Sequence, residues 1–339
     1  MANISTFSLP QMTDLVDRTF WDKMESLPQV MRNSGIVMEE AIPHNTGEFK
    51  RFAERLHRNQ YAPTRDEGAV STQATVQYGY EKDMQVYTTS LEVSITKRMR
   101  VAGKDRAIID EITSLAEVCP NSIDLDLAHR LGFAWSTSYT RTAGGDSTSI
   151  NIDVWDDLAL ISASHTLTGS ASTYSNQIPG NPQFSKGSLE NAEKSFAEET
   201  LNNLGEKMMM TPDVIVTTDD PNTINQVREL LNATADVSTD NSGTFNAYKS
   251  KYKHVVSGRI ATWADGSVDT AKRKYWFLAD AKNSDFYLCM LEAPYVKAPA
   301  DGNNGEEFSS EIWNYLTAAT YGIAIVTGRW IKGSKGNGI

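Results

Sequence analysis

Pro212-Asp-Val-Ile-Val-Thr-Thr-Asp-Asp-Pro221 decides the fold class, because within ten residues it completes one element and starts another. Val214 to Thr217 is a short apolar, β-branched run of the kind that forms a buried strand. Asp220 then offers a side-chain oxygen as a helix cap, and Pro221 suits the first helical position, where its missing N–H costs nothing. Ile224, Val227 and Leu231 recur at helical spacing and predict the apolar face of that helix. A strand that runs straight into a capped helix predicts a body of mixed helices and sheets, an α+β fold.

Further along the chain, Tyr275-Trp-Phe-Leu278, Phe286-Tyr-Leu-Cys-Met-Leu291 and Tyr321-Gly-Ile-Ala-Ile-Val-Thr327 read as core strands. On the upstream side, Leu189, Ala192, Phe196, Thr200 and Leu204 share one helical face and predict a helix over Ser188 to Lys207. Thr142-Ala-Gly-Gly-Asp-Ser147 reads as a loop, and the Ser-, Thr-, Gly- and Asn-rich stretch Ser162 to Pro182 as a mobile or surface segment.

Ile108, Ile112, Leu115 and Cys119 fall on one helical face, which Leu127, Leu131 and Ala134 continue, so a long helix is expected from about Lys104 to Tyr139. Pro120 sits inside it and predicts a break or kink near Val118-Cys119. Before that, the period changes to two. Val70, Thr72, Ala74, Val76, Tyr78 and Tyr80 alternate with polar residues, as do Met84, Val86 and Thr88, then Leu91, Val93 and Ile95. Two strands joined by a turn at Glu81-Lys82-Asp83 are expected, an extended hairpin that needs a surface to lie on. The preceding Lys50-Arg51-Phe52 to Arg58 carries charges of both signs and reads as a solvated face or an inter-subunit charge patch. At the N-terminus, Ser8 and Gln11 signal a helix start, and Leu15, Val16, Phe20, Trp21 and Met24 give it one apolar stripe. That stripe packs either on its own chain or on a neighbour.

The 339 residues suffice for a sizeable core, and 40% hydrophobic with 22% charged residues is a globular composition. A net charge of -11 argues against tight nucleic-acid binding, which needs clustered Lys and Arg, and leaves only weak contact with DNA. Cys119 and Cys289 lie in apolar contexts and read as buried reduced thiols. No secretion signal or membrane-spanning run is legible.

No chemistry stands out. The five histidines, His44, His57, His129, His165 and His254, are scattered singly, so no metal site and no cofactor are expected. Gly333-Ser-Lys-Gly-Asn-Gly338 lacks the Lys-Ser/Thr ending of a phosphate loop and reads as a frayed tail. Asp153-Val-Trp-Asp-Asp157 and Asp219-Asp220 read as solvated turns and helix caps, and Asp301 to Glu307 lacks the spacing of a calcium loop. No catalytic residue is assigned.

The order of these parts resembles the major capsid protein of tailed bacteriophages, the fold named after phage Hong Kong ninety-seven. The resemblance covers almost the whole chain and is carried by the arm helix, the hairpin, the long helix, Pro212 to Pro221 and the ending Tyr321-Gly-Ile-Ala-Ile-Val-Thr-Gly-Arg-Trp330. It implies an N-terminal arm over 1–45, an extended hairpin loop over 46–100, and a peripheral domain over 101–206 with the spine helix and an insertion at 143–187. An axial domain over 207–284, a return segment of the peripheral domain over 285–320, and a closing strand with C-terminal tail over 321–339 complete it. It also implies self-assembly into hexamers and pentamers of an icosahedral shell around double-stranded DNA, in the virion, after assembly in the bacterial cytoplasm. The loop would lie across the adjacent subunit and the arm would reach further neighbours, which singles out Phe20, Trp21, Lys50, Arg51, Arg55, Arg58, Tyr78 and Tyr80 as assembly residues. The arm helix begins close to Met1, so a separate scaffolding protein is expected, with a portal and decoration proteins as further partners. Lys50 and Lys82 lie in the loop, yet no motif identifies a partner Asn, and the family's covalent cross-link is not carried over.

Two other readings stay open at this point. One is an encapsulin-like compartment shell holding protein cargo. The other is an enzyme or carbohydrate-binding module built on Trp263, Tyr275, Trp276, Tyr287 and Tyr295, although aromatics at strand spacing are more often core.

Overall fold

The computed structural model describes residues 9–42, 47, 49–56, 61–71, 77–102, 105–235, 245–297 and 311–338. Ser8, His44, His57, Arg58, Lys104 and the stretch from Asp301 to Glu307 lie outside the described residues.

Two four-stranded sheets share one core. The first has the order β1 (Val37–Ala41), β10 (Phe286–Lys297), β11 (Ile312–Ile325), β4 (Tyr87–Thr96). In it β1 runs parallel to β10 and the other pairs are antiparallel. The second has the order β12 (Ile331–Ser334), β9 (Trp276–Ala279), β7 (Val214–Thr217), β8 (Lys253–Val256). Its two central strands, β7 and β9, are buried on both faces, which explains their uninterrupted apolar runs. Val214 and Val216 point into the central core with Phe277, while Ile215 joins Trp276 and Leu278 on the opposite face. There they meet helix α4 (Lys186–Glu199) through Phe196 and helix α5 (Pro221–Asn232) through Val227 and Leu231. As the sequence predicts, Asp220 caps α5 by accepting from the Thr223 amide, with Pro221 in the first turn.

Helix α3 (Asp105–Gly132) is the long element against which the first sheet packs. Ile123, Leu127 and Leu131 reach the central core, and Ile108, Ile112 and Leu115 pack with Ile95 and Tyr315 at the other end. Of the break or kink expected at Pro120, the break does not form: the helix is continuous through it. One lost backbone hydrogen bond is outweighed here by apolar burial on both sides of the proline. The helix ends at Gly132 rather than Tyr139, where the chain turns through Leu131–Ala134 and Phe133–Ser136 hydrogen bonds, and a side chain at 132 would meet the Ile260 carbonyl oxygen at 2.6 Å. Helix α1 (Leu9–Ser26) packs on α3, with Lys23 paired to Glu117 at 2.8 Å and Phe20 fully buried.

The two-stranded ribbon differs from the expected hairpin. β2 (Phe49–Leu56) pairs with β3 (Gln77–Gln85), and β3 leads into β4, which pairs with β11 instead. Glu81-Lys82-Asp83 is therefore mid-strand and not a turn, and the Lys50 to Leu56 stretch is the ribbon's first strand. Three successive charges suit a ribbon strand because cross-strand partners are available, here Arg51 for both Glu81 and Asp83.

Three further expectations are corrected. The helix predicted to reach Lys207 stops at Glu199, after a start capped by Ser185 and Ser188, as the chain turns through Asn202 and Gly205. The Ser/Thr-rich 162–182 segment is partly interior, with His165, Asn176 and Ile178 fully buried. The tail is not frayed up to Gly338: β12 is buried, Gln177 bridges Gly333, and Pro182 bridges Gly338. Cys119 and Cys289 are buried free thiols, as read.

Candidate assembly surfaces

The ribbon is gripped at its base and open at its far end. On one side Lys50 pairs with Glu40 and lies 5.1 Å from the centre of the Phe52 ring, which stacks on Tyr287 at 4.7 Å. On the other, Lys82 pairs with Asp153, and Tyr80 stacks on Trp155 at 4.8 Å. Asp153 and Trp155 belong to the acidic cluster read as solvated turns, and Asp156 of the same cluster is buried against His165. The cluster is therefore an anchoring segment. Beyond the strands, residues 61–71 are exposed throughout, with Tyr61 at 71% and Val70 at 93%. Apolar side chains so open to water favour contact with another surface.

The residues singled out from the sequence fall into two places. Trp21 is 43% exposed on α1, whereas Phe20 is enclosed by its own chain, a burial that stabilises the helix–helix contact by roughly 2 kcal/mol. Phe20 thus holds the arm helix at home and leaves Trp21 as the outward aromatic. Lys50, Arg51 and Tyr80 sit on the ribbon, as do positions 55 and 78, which face each other in the β2–β3 register. Arg51 forms a fork with Asp83 at 2.7 and 2.9 Å and reaches Glu81 at 3.1 Å. The guanidinium holds the Asp83 carboxyl below its ordinary range. Arg58 lies outside the described residues. The anchors Glu40, Asp153, Trp155 and Tyr287 escape sequence reasoning, since only tertiary structure brings them to the ribbon.

A buried polar network fixes the frame beneath. Asp126 on α3 accepts from the Arg141 guanidinium at 3.0 Å and from the Tyr321 hydroxyl at 2.6 Å, and Arg141 also reaches Asp146 at 3.1 Å. Burial pushes the Asp126 carboxyl up, against the pull of Arg141. Asp124, two residues earlier, accepts from the Met31 amide and from Arg259, both at 2.8 Å, and so ties the chain after α1 to the spine helix.

The three described histidines, His129, His165 and His254, serve as structural pins. His165 Nδ1 is 2.9 Å from Asp156 and its Nε2 is 3.2 Å from the Leu160 carbonyl, so both ring nitrogens are engaged inside the core and none meets a nucleophile. His129 contacts the Thr262 hydroxyl at 3.0 Å, and burial lowers it to about 4. His254 contacts Thr217 at 2.9 Å and is likewise lowered to about 4 by burial. Among the described residues no cluster of three or more His, Cys, Asp or Glu could hold a metal, and no helix is long and apolar enough to cross a membrane. Of the aromatics considered for a ligand site, Trp276 is core and Tyr275 packs on Trp135 at 4.8 Å, while Tyr287 serves the ribbon.

No family model matches the chain, and no curated protein matches it. Solved structures do. A chain of Gordonia phage Cozz superposes with a TM-score of 0.51 at 9% identity, over 91% of this chain and 89% of that one. The capsid of an empty GTA particle, computed with C5 symmetry, gives a TM-score of 0.51 at 11% identity, again over 91% of this chain and 89% of the other. The chain has this phage-capsid type of α+β fold along nearly its whole length.

Proposed function

We propose that this chain is the major capsid protein of a tailed bacteriophage, many copies of which close an icosahedral head around double-stranded DNA. The observation that carries this reading is a fold shared over 91% of the chain with the capsid of a GTA particle. The ribbon supports it: two anchored strands, with the exposed Tyr61 and Val70 in the 61–71 segment between them, suit a loop that lies on an adjacent subunit. Trp21 on the arm helix and Arg51 on the ribbon are the contacts of choice among the residues predicted from sequence. Hexamers and pentamers built this way draw on multivalency, many modest contacts adding to a stable shell while each stays reversible. The arm, loop, peripheral and axial divisions read from the sequence are part of the same proposal, as are a separate scaffolding protein, a portal and decoration proteins. A net charge of -11 suits a wall that touches packaged DNA weakly. The role is structural, with no reaction to catalyse.

Electron microscopy of the expressed protein, with size-exclusion light scattering, tests this. Closed shells, rings of five or six, or curved sheets are expected, and a monomer at every concentration would overturn it. Nuclease-protected DNA in particles from infected cells is the expected content; a protein cargo would instead favour the compartment reading.

A further inference from the structure

One contact between copies can be named from this chain alone. A groove of about 410 Å³ lies between α1, β1 and β10, with Trp21, Met24, Leu27, Met290 and Pro294 among its apolar lining and Glu25 and Glu39 at its rim. Arg32 forks Glu39, with Nη2 at 2.7 Å, so Glu25 is the rim carboxylate left facing outward. The opposite end of the first sheet carries the complementary charge and an exposed apolar side chain. Helix α2 (Lys97–Val101) sits in Lys97-Arg-Met-Arg-Val-Ala-Gly-Lys-Asp-Arg106, a run with five basic residues and one acid in a chain of net charge -11. Val101 is 62% exposed there, with exposed Arg98 one helical turn before it and exposed Arg106 after it. Lys97 is engaged with Glu311.

Knob and groove cannot meet within one copy. Ile312 of β11 pairs with Thr96, next to the basic helix, and Tyr321 pairs with Met290, at the groove; nine residues of strand put the two about 30 Å apart. We infer that Val101 of one copy seats in the Trp21–Met290 groove of a second copy, with Arg98 meeting Glu25 across the rim. An exposed valine flanked by cations suits an apolar groove with an outward carboxylate, and burying both excludes water from patches that are costly to leave wet. Two different surfaces joined head to tail make a heterologous contact, the kind that closes into rings when the rotation permits. This inference rests on the shell reading and names one of its interfaces.

The test uses the full chain in three variants, Arg98→Glu, Val101→Asp and Ala293→Trp, the last filling the groove from β10 without changing charge. Each should raise the concentration needed for assembly about tenfold or more while leaving circular dichroism and thermal unfolding unchanged. Adding Glu25→Lys to Arg98→Glu should restore assembly by reversing the pair. If all three variants assemble like the parent chain, or if the reversal restores nothing, this interface is wrong while the shell reading stands. A parent chain that stays monomeric at every concentration overturns both.

Discussion

The Tyr321 hydroxyl donates a 2.6 Å hydrogen bond to Asp126, joining the longest core strand to the spine helix through a carboxylate that is fully buried. Arg141 shares that carboxylate at 3.0 Å and is itself nearly enclosed. Tyr321→Phe removes one donor and leaves the ion pair, so it should cost about 1–2 kcal/mol in urea unfolding. Asp126→Ala takes from the Arg141 guanidinium its buried partner and leaves it Asp146 alone, so it should cost more, about 3–5 kcal/mol. Equal losses for the two would show that the ion pair adds nothing.

Acid should weaken the fold through His129. The unfolded imidazole takes up its proton near 6.5, whereas burial beside Lys272, Arg130 and Arg141 delays this to about 4 in the folded chain. Between those values the unfolded state binds more protons, so stability present above pH 6.5 is lost as pH falls towards 4, by up to about 3 kcal/mol. His254 adds to the loss in the same window, more weakly because it is less enclosed. Thermal unfolding from pH 7 to 4 measures it, and His129→Gln should flatten the slope; an unchanged slope would clear His129 of the role.

The ribbon's anchors should be separable from global stability. Trp155→Ala removes the stack with Tyr80, and Lys82→Met removes the pair with Asp153. An aromatic pair contributes about 0.5–1.5 kcal/mol. Limited proteolysis within 61–71 should therefore speed up by up to about tenfold, with the midpoint of thermal unfolding nearly unmoved. Cleavage at the original rate would mean that these anchors do not hold the ribbon.

Gly132→Ala should destabilise although alanine favours helices. The new methyl would meet the Ile260 carbonyl oxygen at 2.6 Å, a backbone atom with little room to retreat. A loss of about 1–3 kcal/mol is expected from calorimetry. A gain would show that the 258–261 turn yields readily.

The strands at Val214 and Trp276 were legible because each is apolar on both faces, and α5 because Asp220 and Pro221 announce it locally. Pairing was not legible in the same way. Alternation from Tyr78 to Ile95 marks extended chain but names no partner, and the partners proved to be Phe49 to Leu56 for β3 and β11 for β4; Val70, expected in the first strand, lies outside it, and Thr72, Ala74 and Val76 lie outside the described residues. β12 escaped because Ile331-Lys-Gly-Ser334 has no apolar pattern, its Lys332 being buried by Ser175, Glu199 and the Phe196 ring. At the surface, Trp21 could be read as part of the arm's apolar stripe and Lys50 to Arg58 as a charged stretch, but neither the outward position of Trp21 nor the strand at Phe49–Leu56 is marked locally. The anchors could not, since Lys82 and Asp153 are 71 residues apart and nothing local marks either as the other's partner.

A ribbon held at Phe52 and Tyr80 behaves as a lever beyond them. From Phe52 to Leu56 β2 runs on about 13 Å, so a tilt of about 10° at the Tyr80–Trp155 and Phe52–Tyr287 stacks moves its end by about 2 Å, roughly half the spacing between adjacent strands. Two ring stacks can therefore set which part of a neighbour the exposed end reaches, and small changes in ring packing become changes in the curvature of whatever the copies build.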